Sequence, residues 1–283
     1  MRKFYLHTYD KARSFDLNTT RALATDPTGL GNSFSLSYKE SDRGNHLTNS
    51  KPKFDPITFK IYFNADGTSG YVNYKSLISF LASCGNSKFL LEYDDGITDK
   101  YCEVVLKSIP KTETNSDGVF METLSLDRQS YWYEPIDETF VFADVTTEQV
   151  FPMSFPFGFQ GSVLTSEKML ENPLFVPAPI VIHISGEVSE ALRIYVKNAS
   201  GETVSELAIS EELPAGTTIT VDPVRKKILL TDEAGNVTNG YRITDKTKQS
   251  FLYLPQGTYT VGANIVKGAS GRIEMSIKRY LFD

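Results

Sequence analysis

Strict two-residue alternation, in short runs, constrains this chain more than any other feature. In residues 33–38, Phe34, Leu36 and Tyr38 fall on one side and serines on the other. In residues 57–63, Ile57, Phe59, Ile61 and Phe63 alternate with Thr58, Lys60 and Tyr62. A strand sends successive side chains to opposite faces, so each run reads as a strand with one face buried. Further strand-like segments cover residues 3–6, 15–18, 89–93, 101–109, 120–126 and 130–133. Within 101–109, Val104, Leu106 and Ile109 share a face only if the register slips once, which predicts a bulge.

One helix is expected, near residues 71–84. Tyr71, Tyr74, Leu77, Ile78 and Leu81 form a single apolar stripe at helical spacing. Gly85 stands where a left-handed C-terminal cap belongs, and Gly67 and Gly70 sit in the turn ahead. The stripe is read as packing on the chain's own sheet.

From about residue 177 short strand runs recur, at 180–184, 192–196, 203–209, 217–221, 227–230, 251–254, 259–263 and 272–281. Turn-forming residues separate them, among them Asn198–Gly201, Pro214–Gly216 and Pro255–Gly257. Many short strands with frequent turns describe an antiparallel sandwich. Between the halves, Phe151, Phe155, Phe157 and Phe159 are interleaved with Pro152 and Pro156. Proline lacks the N–H a central strand needs, and four phenylalanines are too apolar for a free linker. The expected organisation is therefore an N-terminal domain over 1–135, a connection over 136–176 packed on a domain or neighbour, and a sandwich over 177–283. The last strand is left free to return to the first domain.

With 283 residues and 40% hydrophobic content the chain can build two cores. Its formal net charge of −6 offers no footprint for a nucleic-acid backbone. Cys84 and Cys102 are too few for a disulfide framework and are read as reduced thiols. The sequence lacks an apolar run long enough to span a bilayer, and the N-terminal stretch lacks a signal-peptide core, so synthesis and assembly in a cytoplasm are expected.

Candidate chemistry does not assemble. Glu92, Asp94, Asp95 and Asp99 are acidic neighbours, but their spacing is not that of a calcium loop, and Asp95-Gly96 reads as a hairpin turn. His7, His46 and His183 stand in no metal-ligand spacing. Gly158-Phe159-Gln160-Gly161-Ser162 is not a nucleophile elbow, and Gly29-Leu30-Gly31 is not followed by a helix, as a dinucleotide site requires. The reading is a protein with no enzymatic activity, cofactor or metal.

The order of elements in the first half carries a resemblance. It runs from the strand at Lys3, through Asp26-Pro27-Thr28-Gly29-Leu30-Gly31-Asn32, the alternation at 33–38 and Lys51-Pro52-Lys53-Phe54, to the helix and the closing Ser130-Tyr131-Trp132-Tyr133. This order resembles the N-terminal domain of siphophage distal tail proteins (the Dit family) of phages or prophages of Gram-positive bacteria. More loosely, Thr218–Pro223 and Phe251–Gly257 resemble the C-terminal sandwich of the same proteins. The resemblance implies a mainly β fold: a β-sandwich or split-barrel ring-forming domain with one helix, then a galectin-like antiparallel β-sandwich. It implies a virion structural protein, a homohexameric hub ring that joins tail tube to baseplate or tail tip and lets DNA pass. The implied partners are the tail tube protein, the tape measure protein and a tail-associated or baseplate hub protein, with no specific nucleic-acid binding and no membrane. The implied location is the virion tail, assembled in the host bacterial cytoplasm. Pro27, Gly29, Leu30 and Gly31 are the expected interface residues, with Leu30 as a small apolar knob. The competing expectation is a carbohydrate-binding adhesion module of a phage baseplate contacting host cell-wall saccharide.

Overall fold

The structure, a computed structural model, describes residues 2–42, 44–63, 70–85, 87–112, 120–142, 164–188, 192–265 and 271–281. The chain divides into two compact units, residues 1–134 with 281–283, and residues 135–280.

The first unit begins with β1 (Lys3–His7), β2 (Ser14–Asp16), β3 (Asn18–Thr19), β4 (Ala22–Thr28), β5 (Ser33–Ser41), β6 (Gly44–Lys53) and β7 (Ile57–Phe63). It continues with α1 (Gly70–Cys84), β8 (Phe89–Asp94), β9 (Asp99–Ser108), β10 (Phe120–Arg128) and the start of β11 (Trp132–Phe142). Antiparallel pairing runs β2–β1–β8–β9–β10–β7–β4–β3. The sheet then curls back on itself. Leu17 N donates to Phe4 O at 3.1 Å, and the Asn18 side chain both accepts from Phe4 N and donates to Phe4 O at 2.8 Å.

Its core follows from the alternation. Ile57, Phe59, Ile61 and Phe63 are fully buried, with Phe120, Leu124 and Leu126 beside them on β10. Each such side chain contributes about 1.5–3 kcal/mol of burial. Helix α1 forms because its stripe meets this core: Tyr74, Leu77, Phe80 and Leu81 are buried, and the Tyr74 ring stands edge-on to Phe63 and Phe120. Gly85 ends the helix at φ +61, its N–H returning to Ala82 O. Gly70 is the first helical residue, while Gly67 lies outside the described residues. The expected slip in β9 is real: Ser125 pairs Ser108 and Leu126 pairs Leu106, which leaves Lys107 as the bulged residue. Leu281 packs on this core as well.

The second unit holds β12 (Leu164–Asn172), β13 (Ala178–Gly186), β14 (Arg193–Lys197), β15 (Thr203–Ala208), β16 (Thr218–Asp222), β17 (Lys227–Thr231) and β18 (Val237–Asn239). A 3-10 turn over Gly240–Ile243 leads to β19 (Tyr253–Leu254), β20 (Gly257–Ile265) and β21 (Gly271–Leu281). One antiparallel set runs β18–β17–β16–β13–β21 and another β12–β20–β14–β15. Ile180, Ile182, Ile184, Ile219, Val221 and Ile273 from the first set share one core with Ile194, Val196, Val261 and Ala263 from the second. Strand β12 lies in the stretch read as a connection, and β18 is a strand the alternation did not single out. The Phe151–Phe159 stretch lies outside the described residues.

Both cysteines are free thiols. Burial pushes the pKa of each upward, most strongly for the fully buried Cys102.

Candidate functional site

Strands β5 and β6 pair with each other and with no third strand among the described residues. Cross-strand partners share a face. The register therefore puts Phe34, Leu36 and Tyr38 with Leu47 and Pro52 on one side of the ribbon. Ser33, Ser35, Ser37 and Lys39 lie on the other side with Lys51, Lys53, Asn49 and His46. The ribbon is amphipathic, as the alternation required. Its apolar face is not buried within the chain, however: Leu36 is 46% exposed, Tyr38 55% and Leu47 56%. This corrects the expectation of a half-buried strand. Alternation states that a face is to be covered; it does not state which molecule covers it. A two-stranded ribbon by itself is marginal in water, so this one depends on how its root is held.

The root is tightly built. Arg128, the last residue of β10, is 2% exposed. Its Nη1 donates to Gly31 O at 2.9 Å and Leu30 O at 3.3 Å, its Nη2 to Asn32 Oδ1 at 2.7 Å and its Nε to Ser130 O at 2.8 Å. Trp132 Nε1 donates to Leu30 O at 2.7 Å. The guanidinium also lies over the rings of Phe54, at 5.3 Å, and Trp132, at 5.7 Å. Phe54 in turn meets Tyr131 edge-on. Leu30–Asn32 leads into β5 and Phe54 leads out of β6, so one buried arginine grips both legs of the hairpin. Ser33 Oγ ties the legs again, its one proton within reach of both Asp55 Oδ2 and Lys53 O, each at 2.8 Å. Hydrogen bonds from Lys53 and then Ser33 hold the Asp55 carboxyl below its ordinary range.

The four expected interface residues fall at this root. Pro27 lies inside β4, not in a free turn, because β4 runs on to Thr28 with a register shift between Thr25 and Thr28. Asp26 takes φ +49 at that irregularity and pairs with Lys60 at 3.0 Å. Gly29 has φ +74, and a Cβ there would stand 2.1 Å from Pro56 O. Gly31 has no such constraint and open space around it. Leu30 is half-buried and packs on the core of its own unit. The structure thus joins two segments far apart in sequence, 26–32 and 128–133. Arg128 was the residue missed. Its signal lay in phase: it continues the inward face of Phe120, Leu124 and Leu126, a face that also carries the buried Glu122.

Elsewhere several of the polar groups singled out in the sequence pair locally. His7 Nε2 lies 2.7 Å from Glu92 Oε2, His183 Nδ1 lies 3.0 Å from Thr220 Oγ1, and His46 is in β6. Asp95 Oδ1 accepts from the backbone N–H groups of Ile97 and Thr98, and Asp94 Oδ1 accepts from Gly96 N, which makes the tight β8–β9 turn. The backbone N–H groups of Thr98 and Ile97, with Lys100 beside them, hold the Asp95 carboxyl down at about 2. No group of three His, Cys, Asp or Glu side chains that could hold a metal ion occurs among the described residues. No described helix is long and apolar enough to cross a membrane. In the second unit, the hydroxyls of Tyr195, Tyr241 and Tyr253 bond to Glu167, Lys226 O and Pro223 O, and Tyr259 packs on the core.

Residues 3–129 match the family described as distal tail protein, N-terminal domain. No curated protein matches the sequence. Solved structures match its fold over nearly the whole length. A chain of the phage P2 baseplate in its activated conformation with Ca has 13% identity, covers 98% of both chains and gives a TM-score of 0.64. The same baseplate with Sr gives 13% and 0.63 at the same coverage. The Dit protein of phage SPP1, described as a paradigm of hub adsorption apparatus in Gram-positive infecting phages, has 12% identity and a TM-score of 0.59 over 96% of this chain and 98% of its own.

Proposed function

We propose, from the premise that the chain belongs to the distal tail protein family through residues 3–129, that it is a structural hub subunit of a phage tail and closes into a homohexameric ring. The ring joins tail tube to baseplate or tail tip and leaves a channel for DNA. The observation that carries this reading is the β5–β6 hairpin: an amphipathic ribbon with its apolar face exposed on a root gripped by Arg128 and Trp132. A ribbon with Leu36, Tyr38 and Leu47 exposed on a tied root fits a head-to-tail contact with a neighbour. Such heterologous contacts end in a closed ring when the rotation closes, and in an open filament when it does not. Pro27, Gly29, Leu30 and Gly31 serve the interface indirectly, by fixing where the ribbon leaves the domain.

The protein acts by geometry. Its partners are the tail tube and tape measure proteins on one side and a tail-associated or baseplate hub protein on the other, in the virion tail, after assembly in the host cytoplasm. Six chains carry a formal charge of 6 × −6 = −36. A channel that passes DNA has a neutral to acidic wall, since lysines and arginines there would hold phosphates through counterion release. Asp94 and Asp95, on the β8–β9 turn, are candidates for that wall.

Native mass spectrometry of the full chain at moderate salt tests the ring, with a six-chain species expected as concentration rises. A chain that stays monomeric throughout, and makes no contact with a copy of itself in reconstructed tails, sinks the reading. Duplex DNA titrated against the protein is expected to show no salt-sensitive binding. A micromolar affinity that weakens steeply with added salt would replace the channel with a nucleic-acid-binding role.

A further inference from the structure

A second exposed apolar row lies on the side of β4, β7 and β10 that faces away from the core. Register places Leu23, Tyr62 and Met121 in one row across these three strands. Leu23 and Met121 are each 41% exposed. The two rows that follow are Thr25, Lys60, Thr123 and Thr28, Thr58, Ser125. Lys60 is the one charged residue in these three rows, and Asp26 pairs it at 3.0 Å. The solvated face of an antiparallel sheet is ordinarily polar; apart from the Lys60–Asp26 pair this one presents an apolar row, four threonines and a serine.

We propose that the apolar face of the β5–β6 hairpin of one chain packs on this β4–β7–β10 face of a second copy, with Tyr38, Leu36 and Leu47 against the row Leu23, Tyr62, Met121. The inference rests on the ring reading and names the surface that receives the hairpin. Both faces are exposed within one chain, so neither covers the other there. A heterologous ring needs two different complementary surfaces on every subunit, and these two are apolar, sheet-like and similar in size. At about 3.3 Å per residue and about 4.8 Å per strand, the hairpin face and the three-strand face each measure about 300 Å². Sheets stacked face to face lie about 10 Å apart, which the paired side chains fill.

Charge favours a copy of this chain as the occupant. Residues 33–53 contain Lys39, Arg43, Lys51 and Lys53 against Glu40 and Asp42, a formal +2. The rest of the chain therefore carries −6 − 2 = −8. A basic ribbon is drawn to the acidic body of its neighbour. The area also sets the strength. One such contact buries about 600 Å² in total, short of the roughly 1,000 Å² of a specific stable interface. A lone pair is therefore weak, and closure, which engages each chain twice, makes assembly steep in concentration.

Disulfide trapping tests the contact. Full-length chains carrying Leu47→Cys and, separately, Met121→Cys are prepared in a Cys84→Ser background, mixed at assembling concentration and oxidised. Both positions are exposed, so the fold is expected to stand, with circular dichroism as the check. The expected result is a 47–121 linkage between chains in the mixture, identified by peptide mass spectrometry and absent from either variant alone. Rings of six that yield no 47–121 linkage, nor one between Leu36→Cys and Leu23→Cys chains, would overturn the receiving surface and leave the ring reading standing. Chains that never associate would overturn the ring reading, and this inference with it.

Discussion

Strands β5 and β7 carry the same two-residue alternation and meet different ends. In β7 the four apolar side chains are fully buried, because β4 and β10 flank the strand and α1 contacts it. In β5 the alternate side chains Leu36 and Tyr38 stand about half exposed, with β6 alone alongside. The periodic signal is the same; the number of neighbouring elements is not. Alternation reports that a face requires cover, and topology decides whether the cover comes from the same chain. A contiguous apolar face left open to water is the kind of surface that partner binding covers.

The largest expected effect separates the two strands directly. Phe59→Ala empties a fully buried site where the ring meets Phe4 edge-on, and is expected to cost about 3–5 kcal/mol in denaturant unfolding. Tyr38→Ala in the dilute chain is expected to change stability by less than about 0.5 kcal/mol. Equal losses would break the comparison, since Tyr38 would then have cover within its own chain.

Next comes the clamp. Arg128→Ala removes one buried cation from three carbonyls and the Asn32 side chain, and is expected to cost about 2–4 kcal/mol. Amide exchange should quicken over residues 30–33 and stay slow in β7. Uniform quickening would mean that Arg128 supports the core rather than the root.

The glycines sharpen the root further. Gly29→Val forces a side chain into φ +74 and against Pro56 O, and is expected to cost about 1–3 kcal/mol, with ring assembly impaired. Gly31→Val is expected to change thermal unfolding little, because nothing lies near its Cβ position. A tolerated Gly29→Val would reduce the turn to a permissive surface loop.

Smaller again is the double change Leu36→Ser with Tyr38→Ser. Its unfolding free energy in dilute solution should shift by less than about 0.5 kcal/mol, while native mass spectrometry shows loss of the ring. Assembly that survives both substitutions would detach the hairpin from the interface.

The smallest effect is local and depends on pH. Asp95 is held from the ordinary 3.8 down to about 2, so its contribution to the β8–β9 turn is complete above 3.8 and is lost as pH falls through about 2. Amide NMR shifts of Ile97 and Thr98 should follow that transition, and Asp95→Asn should abolish it. An unchanged titration in the variant would assign the transition to another carboxylate.

Much of this was legible in the sequence, for physical reasons that can be named. Alternation at Ile57–Phe63 and the stripe at Tyr74, Leu77 and Leu81 gave strand and helix because period 2 and period 3.6 are imposed by the backbone itself. The slip around Leu106 gave the bulge, since one extra residue is needed to keep Val104 and Ile109 inward. Gly85 marked a helix end because it alone there reaches positive φ without cost. These are local consequences of chain geometry, and a single sequence carries them. What only the tertiary structure decided depends on residues distant along the chain. It drew Asp26 and Pro27 into β4, packed Leu30 on the core, and set Arg128 and Trp132 from the end of the domain onto carbonyls about a hundred residues earlier. Above all it left Leu36, Tyr38 and Leu47 about half exposed. The alternation fixes which side of a strand is apolar, but covering that side is a matter of which other strands arrive, and among the described residues β6 is the one strand paired with β5.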